Sequence, residues 1–462
     1  MRQEVVEALK NIVGEDWVLT NLDQTRGYLY DETEALIRPK AAEDCVVVKP
    51  KTSEEIAAIL KYANEALVPV VPRGGGTGLC GGAIPTQTSI ILSDERLNKI
   101  LEIDEENLMV TCESGVTLAA LLEKLHEYDN LFFPVHPGDE GAHIGGMAVE
   151  NAGGAGAVKH GIMRNQIKGL EVVLPTGEIV NLGGKLIKNN AGLDLLHLMI
   201  GSEGILGIVT KVTLKLYPEP KHKGTLLISF NNRKDAIAVV PKILQQGITP
   251  LAIEYMERDI ALESAAHIGE KWPAEEGSVD VMIILSEDKE DELYEKSETI
   301  VDLCENHNAV FTLIAETAKE QRSILSIRSN VYTAVVHDAA DALDMAVPVG
   351  SIPDFMNDIF ALADKYGART PAVGHAGDGN IHNFIMRENG EIPSYYEELK
   401  EAMYKTAVKY GGTITAEHGV GKTRMTNLNL QLSEKEIDLI KGIKKAFDPN
   451  GILNPGTVVN VK

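Results

Sequence analysis

Positive charge is scarce in this chain of 462 residues. Its 44 Lys and Arg residues stand against 68 Asp and Glu residues, which gives a formal net charge of −24. Nucleic acids and anionic membranes both bind clustered Lys and Arg, so neither is an expected partner. Long apolar runs are also missing, and residues 1–17 are charged throughout, with no signal-peptide core. We therefore expect a cytoplasmic protein without membrane insertion.

Cysteine is rare as well. The four cysteines, Cys45, Cys80, Cys112 and Cys304, lie far apart in the chain, and none belongs to a CxxC pair. This spacing excludes a self-contained zinc ribbon or iron–sulfur motif and provides no disulfide framework. The length of 462 residues indicates two or three domains, and the composition, 44% hydrophobic and 24% charged, indicates that they are globular rather than disordered.

Glycine, in contrast, is concentrated in residues 71–82, VPRGGGTGLCGG. Unobstructed backbone N–H groups beside Arg73 suit a pyrophosphate, which needs many donors and one fixed positive charge. A flexible linker is the alternative, but the apolar strand expected before the loop argues against it. The stretch Gly76–Gly81 also spells GxGxxG. Residues 83–88 contain a proline and are too few for a crossover helix, so we reject a Rossmann site.

Two further glycine-rich segments follow, at residues 135–161 and 200–210. Such density predicts that the first of them does not pack as ordinary helix or strand interior. Several glycine loops in one domain indicate a ligand too long for a single loop to cover.

The pattern of predicted strands and helices changes at Tyr217-Pro-Glu-Pro220, where we place a domain boundary. Before it, strands and helices alternate closely, which indicates an α/β or α+β fold. Beyond it, apolar segments at 225–230, 251–256, 279–285 and 310–314 alternate with helices. This rhythm favours an antiparallel sheet with helices on one face.

The strongest chemical pattern is GHAGDGNIH at residues 374–382. Asp378-Gly379 is a preferred pair for a two-residue hairpin turn, which would set His375 directly opposite His382. Directly opposed residues share a face, with Cβ atoms about 5 Å apart. We therefore predict that the two imidazoles bind zinc, iron or manganese.

A carboxylate for the same metal is available at Glu417, next to His418. Neighbours in extended chain point to opposite faces, so one of the two would hold the metal and the other would face the substrate. Residues 416–423 also resemble a relaxed Walker A loop. The strand before and the helix after that such a loop needs are missing, which argues against nucleotide triphosphate binding.

Together these segments resemble the FAD-linked 2-hydroxyacid dehydrogenases, which include D-lactate dehydrogenases, the glycolate oxidase FAD subunit and D-2-hydroxyglutarate dehydrogenase. The resemblance rests on PRGGGTGLCGG, IGG…NAGG…HG, GSEGILGIVT, HAGDGNIH, AEHGVG and DPNGILNPG and covers nearly the whole chain. It implies an α+β fold whose two-lobed FAD domain, of the vanillyl-alcohol-oxidase type, spans residues 1–218. A substrate and metal domain (219–425) and a segment that returns to the flavin (426–462) would follow.

The resemblance also implies the roles of individual residues. The metal ligands fall on His375, His382 and Glu417, the catalytic base on His418, and an arginine for the substrate carboxylate on Arg328. The residues that would bind FAD are Arg73, Gly74, Gly75, Gly76, Thr77, Gly78, Gly145, Gly146, Asn151, Gly154, Glu203, Gly204, Ile208 and Asn454.

Three positions depart from the family pattern. His143 replaces the usual threonine before IGG, and a lysine found in the hydroxyglutarate enzymes is missing before Asp344. The asparagine that those enzymes place two residues after the second histidine is Phe384 here. The last two changes weaken a second carboxylate clamp and favour a small acid such as lactate or glycolate.

The reaction implied is oxidation of a small D-2-hydroxy acid, with D-lactate favoured, and transfer of its hydride to FAD. The rivals are a glycolate or D-2-hydroxyglutarate dehydrogenase with another acceptor, and a non-catalytic FAD- or metal-binding protein. The resemblance is close to lactate dehydrogenase subunits that work with an electron-transferring flavoprotein, so we expect that partner. The exact acid, the metal and any homo-oligomer stay open, and the stereochemistry comes from the resemblance alone.

Overall fold

The computed structural model describes residues 1–315 and 317–461. Its strands are β1 (Val18–Leu19), β2 (Val46–Val48), β3 (Val70–Arg73), β4 (Ile90–Ser93), β5 (Ile100–Asp104), β6 (Met109–Glu113), β7 (Ile167–Val173), β8 (Ile179–Gly183), β9 (Ile208–Lys215), β10 (His222–Phe230), β11 (Ala252–Glu257), β12 (Val279–Glu287), β13 (Ala309–Ala315), β14 (Ala339–Ala346), β15 (Ala372–His375) and β16 (Asn380–Met386).

The helices are α1 (Gln3–Val13), α2 (Leu22–Thr25), α3 (Ser53–Ala66), α4 (Leu118–Leu125), α5 (Ile144–Glu150), α6 (Ala157–His160), α7 (Met163–Gln166), α8 (Leu195–Met199), α9 (Arg233–Gln245), α10 (Arg258–His267), α11 (Glu290–Glu305), α12 (Ala318–Ser329), α13 (Val331–Val335), α14 (Ile352–Tyr366), α15 (Tyr396–Lys409) and α16 (Glu434–Phe447). None of the helices in the described residues is both long enough and apolar enough to span a membrane.

The chain divides into two compact units. The first unit comprises Met1–Gly153, Ile162–Glu219 and Glu417–Lys462, and the second comprises Gly154–Gly161 and Pro220–Ala416. The change of unit at Glu219 lies one residue beyond the boundary expected from the sequence. The return to the first unit comes at Glu417 rather than at residue 426. Glu417 and His418 therefore belong to the first unit, whereas the sequence placed them in the substrate domain.

The first unit contains two sheets. The smaller has the strand order β1-β2-β4-β3, in which β4 runs parallel to both β2 and β3, and α1 and α3 pack on it through Val5, Leu9 and Ile56. Thr52 caps α3, because its hydroxyl accepts the backbone N–H of Glu55 at 3.2 Å. The larger sheet is antiparallel, with the order β5-β6-β9-β7-β8. No helix lies between β3 and β4, both fully described, which agrees with the rejection of a Rossmann site.

One glycine-rich segment forms regular structure against expectation. Gly145 and Gly146 lie inside α5, although their density predicted that this segment would not form ordinary helix. A Cβ atom at Gly145 would lie 2.5 Å from Cβ of Ser114, so this glycine lets the helix approach the end of β6 closely. At Gly146 a Cβ atom would project into open space. Glycine has a low helix propensity. The helix nevertheless contains two glycines, because Gly145 packs closely against Ser114 and Gly146 faces open space.

The second unit is built on a seven-stranded antiparallel sheet with the order β13-β10-β12-β11-β15-β16-β14. Helices α10, α12 and α13 pack on the face that carries Leu227 and Met282. Helix α11 packs on the opposite face, where Leu293 lies against Gly224. The α+β class predicted from the sequence is confirmed. Helices cover both faces of this sheet rather than one, which explains why its central strands are buried along nearly their whole length.

Candidate flavin and substrate sites

A cavity of about 230 Å³ lies in the first unit, bounded by all three glycine-rich segments. Twelve of the fourteen residues predicted to bind FAD line it, and so do Glu417 and His418. The lining residues among the predicted set are Arg73, Gly74, Gly75, Gly76, Thr77, Gly78, Gly145, Gly146, Glu203, Gly204, Ile208 and Asn454. The structure therefore gathers positions that lie more than 380 residues apart in the chain.

The first glycine loop presents backbone donors to this cavity. Within the described part of the chain, the N–H groups of Gly75, Gly76, Thr77 and Gly78 donate to no other protein group. Gly76 has φ +76°, and a Cβ atom there would collide with the Arg73 guanidinium. Unpaired backbone donors are costly unless a ligand or water accepts from them, so this loop fits the pyrophosphate of FAD.

Arg73 is tied to the protein as well as lining the cavity. Its Nη1 donates to the carbonyl oxygen of Tyr30 at 2.9 Å, and its Nη2 donates to that of Gly27 at 3.2 Å. Burial lowers the pKa of Arg73, and the charge of Asp31 partly opposes this effect. The guanidinium thus holds residues 27–30 beneath the glycine loop while keeping its charge beside the cavity.

Two predicted FAD contacts lie elsewhere. Asn151 ends α5 with φ +57°, and its Oδ1 accepts the backbone N–H of Arg164 at 3.0 Å. Its side chain therefore ties the end of α5 to α7. Gly154, with φ +128°, begins the short part of the second unit that spans 154–161.

Sequence reasoning did not identify two charged groups here: Glu150, which lines the cavity, and Lys422, which follows the lining residue Gly421. Burial, followed by the charges of Glu203 and Asp31, raises the pKa of Glu150 well above its usual range. Burial lowers the pKa of Lys422 to about 8. The Lys422 ammonium donates to Gly82 O, Asn454 Oδ1 and Thr457 Oγ1 at 3.0, 3.0 and 2.7 Å. In the sequence, Lys422 stood out only as part of the Walker-like segment.

His143, the first departure from the family pattern, also lines the cavity. Its Nδ1 lies 2.6 Å from Oδ1 of Asp94, and both side chains are about nine-tenths buried. Burial lowers the pKa of His143, but the hydrogen bond and charge of Asp94 outweigh it, so the net shift is upward. The Asp94 carboxylate therefore pairs with this histidine inside the first unit.

In the second unit, the hairpin of β15 and β16 carries the two predicted metal-binding histidines. The prediction of a two-residue turn is wrong: four residues, Ala376 to Gly379, connect the strands. His375 pairs with Asn380, and His382 pairs with Val373. The register is therefore shifted by two residues from the predicted one. An even shift keeps both histidines on one face, and their ring centroids lie 5.6 Å apart.

Glu254 on β11 joins two of the predicted site residues. Its carboxylate is fully buried, and Oε1 lies 2.8 Å from Nδ1 of His375. Arg328 Nε and Nη2 both approach Oε2, at 2.8 and 2.6 Å. Burial raises the pKa of Glu254, but the charges of His375 and Arg328 outweigh this effect, so the pKa is lowered. The sequence carried no signal for Glu254, because the contact joins residues 121 positions apart.

Asp344 on β14 is a second buried carboxylate on this face of the sheet. Its Oδ1 accepts from Asn380 Nδ2 at 2.8 Å and lies 3.5 Å from His382 Nδ1. Its Oδ2 accepts the backbone N–H of Ala416 at 2.8 Å. Asp344 thus holds the end of the second unit, one residue before Glu417. The sequence identified Asp344 only as a landmark for the missing lysine.

Comparisons with known proteins agree with this architecture. Residues 45–183 match the family described as FAD binding domain, and residues 219–458 match FAD linked oxidases, C-terminal domain. The crystal structure of p-cresol methylhydroxylase with substrate bound superposes with a TM-score of 0.79 at 19% identity, covering 99% of this chain and 97% of that chain. The predicted vanillyl-alcohol-oxidase type of fold is confirmed.

Two relatives align over nearly their whole length. A D-lactate dehydrogenase from Archaeoglobus fulgidus is 40% identical over 432 residues, which are 94% of this chain and 95% of that protein. The glycolate oxidase subunit GlcD of Bacillus subtilis is 36% identical over 442 residues, with 94% and 93% covered. The chain therefore belongs to the family of FAD-linked oxidoreductases that contains D-lactate dehydrogenases and glycolate oxidase GlcD subunits.

Proposed function

We propose that this protein oxidises a small D-2-hydroxy acid, with D-lactate favoured, to the 2-oxo acid. One observation carries the proposal. The buried carboxylate of Glu254 contacts both His375 and Arg328, the first a proposed metal ligand and the second the proposed partner of the substrate carboxylate. A buried carboxylate between a histidine and an arginine is an arrangement that orients both for a ligand.

The flavin would be held in the cavity of the first unit. Its pyrophosphate would accept the N–H groups of Gly75 to Gly78, which have no acceptor within the described chain. Bound FAD supplies a hydride acceptor at its N5 atom. The open space beside Gly146 leaves room for the cofactor along α5.

We further propose that His375, His382 and Glu417 hold a divalent cation (Zn, Fe or Mn). The two imidazoles on one sheet face suit these metals. Because Nδ1 of His375 contacts Glu254, its Nε2 would be the ligand atom, and a carboxylate behind a metal-binding histidine is a common arrangement. A bound cation supplies Lewis acidity, which lowers the pKa of the substrate hydroxyl. Glu417 is named as third ligand from the family resemblance.

His418 would take the proton from the C2 hydroxyl at a ring nitrogen, because an imidazole is neutral and basic near pH 7. It lines the cavity of the first unit. Arg328 would bind the substrate carboxylate. Its pairing with Glu254 fixes the plane of the guanidinium, which suits bidentate binding.

Support for a small acid comes from two positions where the hydroxyglutarate enzymes carry polar side chains. Phe384 is buried and pairs across the sheet with Ala342, on the same face as His382. Both belong to the apolar core of this face. An apolar pair offers no partner for a second carboxylate, which favours lactate or glycolate over 2-hydroxyglutarate.

We propose an electron-transferring flavoprotein as the electron acceptor. All four cysteines are buried and none belongs to a CxxC pair, so the sequence offers no iron–sulfur motif, and the GxGxxG segment lacks the helix that an NAD site needs. One relative is named as a subunit of glycolate oxidase. A second protein is therefore the favoured acceptor, with oxygen and quinones as rivals.

The test is anaerobic mixing of the FAD-loaded protein with D-lactate, L-lactate, glycolate and D-2-hydroxyglutarate in turn. We expect D-lactate to bleach the flavin fastest, and each flavin to be reduced only once. Addition of a two-subunit electron-transferring flavoprotein should make turnover continuous. No bleaching by any of the four acids would support a non-catalytic protein. Sustained turnover with oxygen or NAD alone would contradict the proposed acceptor.

A further inference from the structure

Glu203 occupies an unusual backbone position in the third glycine-rich segment. Its φ is +50°, and the next residue, Gly204, has φ +65°. A Cβ atom at Gly204 would lie 2.6 Å from Pro72, so the chain is packed tightly there. Left-handed backbone at a non-glycine residue costs free energy and persists only where the surroundings determine it. Here the Glu203 N–H donates to Val149 O at 2.8 Å, and its carbonyl oxygen accepts from Asn454 Nδ2 at 3.1 Å.

The Glu203 side chain, in turn, binds the backbone of a distant segment. Its Oε1 accepts the N–H of Val420 at 2.8 Å, and its Oε2 accepts the N–H of Gly421 at 2.6 Å. Burial raises the pKa of Glu203, while the two N–H groups and the charge of Lys422 oppose this effect. One carboxylate thus uses both oxygens to hold two consecutive peptide groups.

These two peptide groups directly follow the proposed base. Val420 is two residues after His418, and the intervening Gly419 has φ +83°. Gly421 has φ +53°, and a Cβ atom there would collide with the carbonyl oxygen of Cys80. The loop is therefore pressed against the first glycine loop on one side and held by Glu203 on the other.

We propose that Glu203 is a positioning residue that holds the loop carrying His418 in place for proton abstraction. This inference rests on the proposed function, in which His418 is the base. It gives Glu203 a role different from the FAD contact implied by the family resemblance. Positioning matters because displacing a reacting group by about 1 Å can slow a reaction by roughly 10²-fold.

Glu203→Gln is the informative substitution. The amide keeps the size of the side chain but has one oxygen, so one N–H loses its acceptor and faces an NH₂ group instead. We expect flavin reduction by D-lactate to slow by roughly 10- to 100-fold, with FAD still bound stoichiometrically and substrate affinity changed by less than about two-fold. Amide hydrogen exchange of the peptide containing Val420 and Gly421 should accelerate even without substrate.

A double-mutant cycle with His418→Ala separates this inference from the proposed function. If Glu203 acts through His418, the double variant should reduce flavin no more slowly than His418→Ala alone. Glu171→Gln is the matched control, because Glu171 is a half-buried carboxylate of the first unit that bonds to Ser53, Thr210 and Lys211 and to neither Val420 nor Gly421. Its effect should add to that of His418→Ala.

The outcomes are distinct. Unaltered reduction in His418→Ala would overturn the proposed base. If His418→Ala slows flavin reduction and this effect adds fully to that of Glu203→Gln, only the positioning role is overturned. The positioning role is also overturned if Glu203→Gln loses FAD while amide exchange of the peptide containing Val420 and Gly421 is unchanged. If Glu203→Gln does not fold, Glu203→Asp takes its place in the cycle. Aspartate keeps both acceptor oxygens, but its side chain is shorter and holds them farther from the N–H groups of Val420 and Gly421.

Discussion

His375 and His382 lie diagonally across the hairpin of β15 and β16, with ring centroids 5.6 Å apart and ring planes at 88°. They are not cross-strand partners, since His375 pairs with Asn380 and His382 pairs with Val373. Diagonal neighbours on one sheet face still come within reach when their side chains are long. The shared face, rather than direct opposition, makes the two imidazoles available to one cation.

The first prediction concerns metal content. Replacing either histidine with alanine, as in His382→Ala, should lower bound divalent metal at least tenfold and abolish substrate oxidation, because a two-imidazole site loses half of its nitrogen ligands. FAD should stay bound, since its proposed site lies in the first unit. Elemental analysis and flavin absorbance measure the two quantities. His126→Ala, at an exposed helix end, is the control, and full metal content in His382→Ala would refute the site.

The second prediction concerns Glu254 as the support of His375 and Arg328. Glu254→Gln should weaken metal binding by roughly 10- to 100-fold, because the histidine loses the carboxylate that orients it. Metal titration of the apo-protein measures the effect.

Glu257→Gln provides a matched control on the same strand. Glu257 is also buried and pairs with Arg233 at 2.5 Å, but it points to the opposite face of the sheet. Both variants should lose stability, because each leaves an arginine without its buried partner. Only Glu254→Gln should lose metal. Equal metal affinities in the two variants would show that Glu254 does not support the site.

The third prediction separates packing from cofactor binding on α5. Gly146→Ala should stabilise the apo-protein by about 0.5–1 kcal/mol, because alanine is the better helix former and its Cβ enters open space. The same methyl group should weaken FAD binding if the flavin occupies that space. Urea unfolding of the apo-protein and flavin fluorescence titration measure the two effects. Gly145→Ala should instead destabilise the apo-protein, since its Cβ meets Ser114 at 2.5 Å.

The fourth prediction is a pH dependence of stability from His143. Its pKa is raised above the ordinary 6.5 by Asp94 despite burial. A raised folded-state pKa contributes stability that is fully present below about pH 6.5 and is lost as pH rises through the higher folded-state value. The difference in unfolding free energy between wild type and His143→Thr should therefore shrink as pH rises through that range. A difference that stays constant with pH would show that the pair carries no such linkage.

Much of this protein could be predicted from local patterns. Features that depend on neighbours in the chain are the glycine loop after β3, the histidines of the GHAGDGNIH segment, the cap of α3 and most strands of the second unit. The sequence motifs also identified the family. The pairing of His375 with His382 on one face survived an incorrect turn, because side-chain direction in a strand has a period of two and the register shifted by an even number.

Contacts between distant segments were decided only by the tertiary structure. Glu254 meets His375 across 121 residues, and Glu203 meets Val420 across 217. Glu254 and Glu203 are acidic residues in segments whose local pattern predicts only a strand or a turn. The packing of sheets and loops determines which distant residue each of them contacts. The helix containing Gly145 was likewise decided by tertiary structure. Glycine disfavours a helix locally, but the close approach of Ser114 requires a residue without Cβ at that position, and tertiary packing outweighs the propensity.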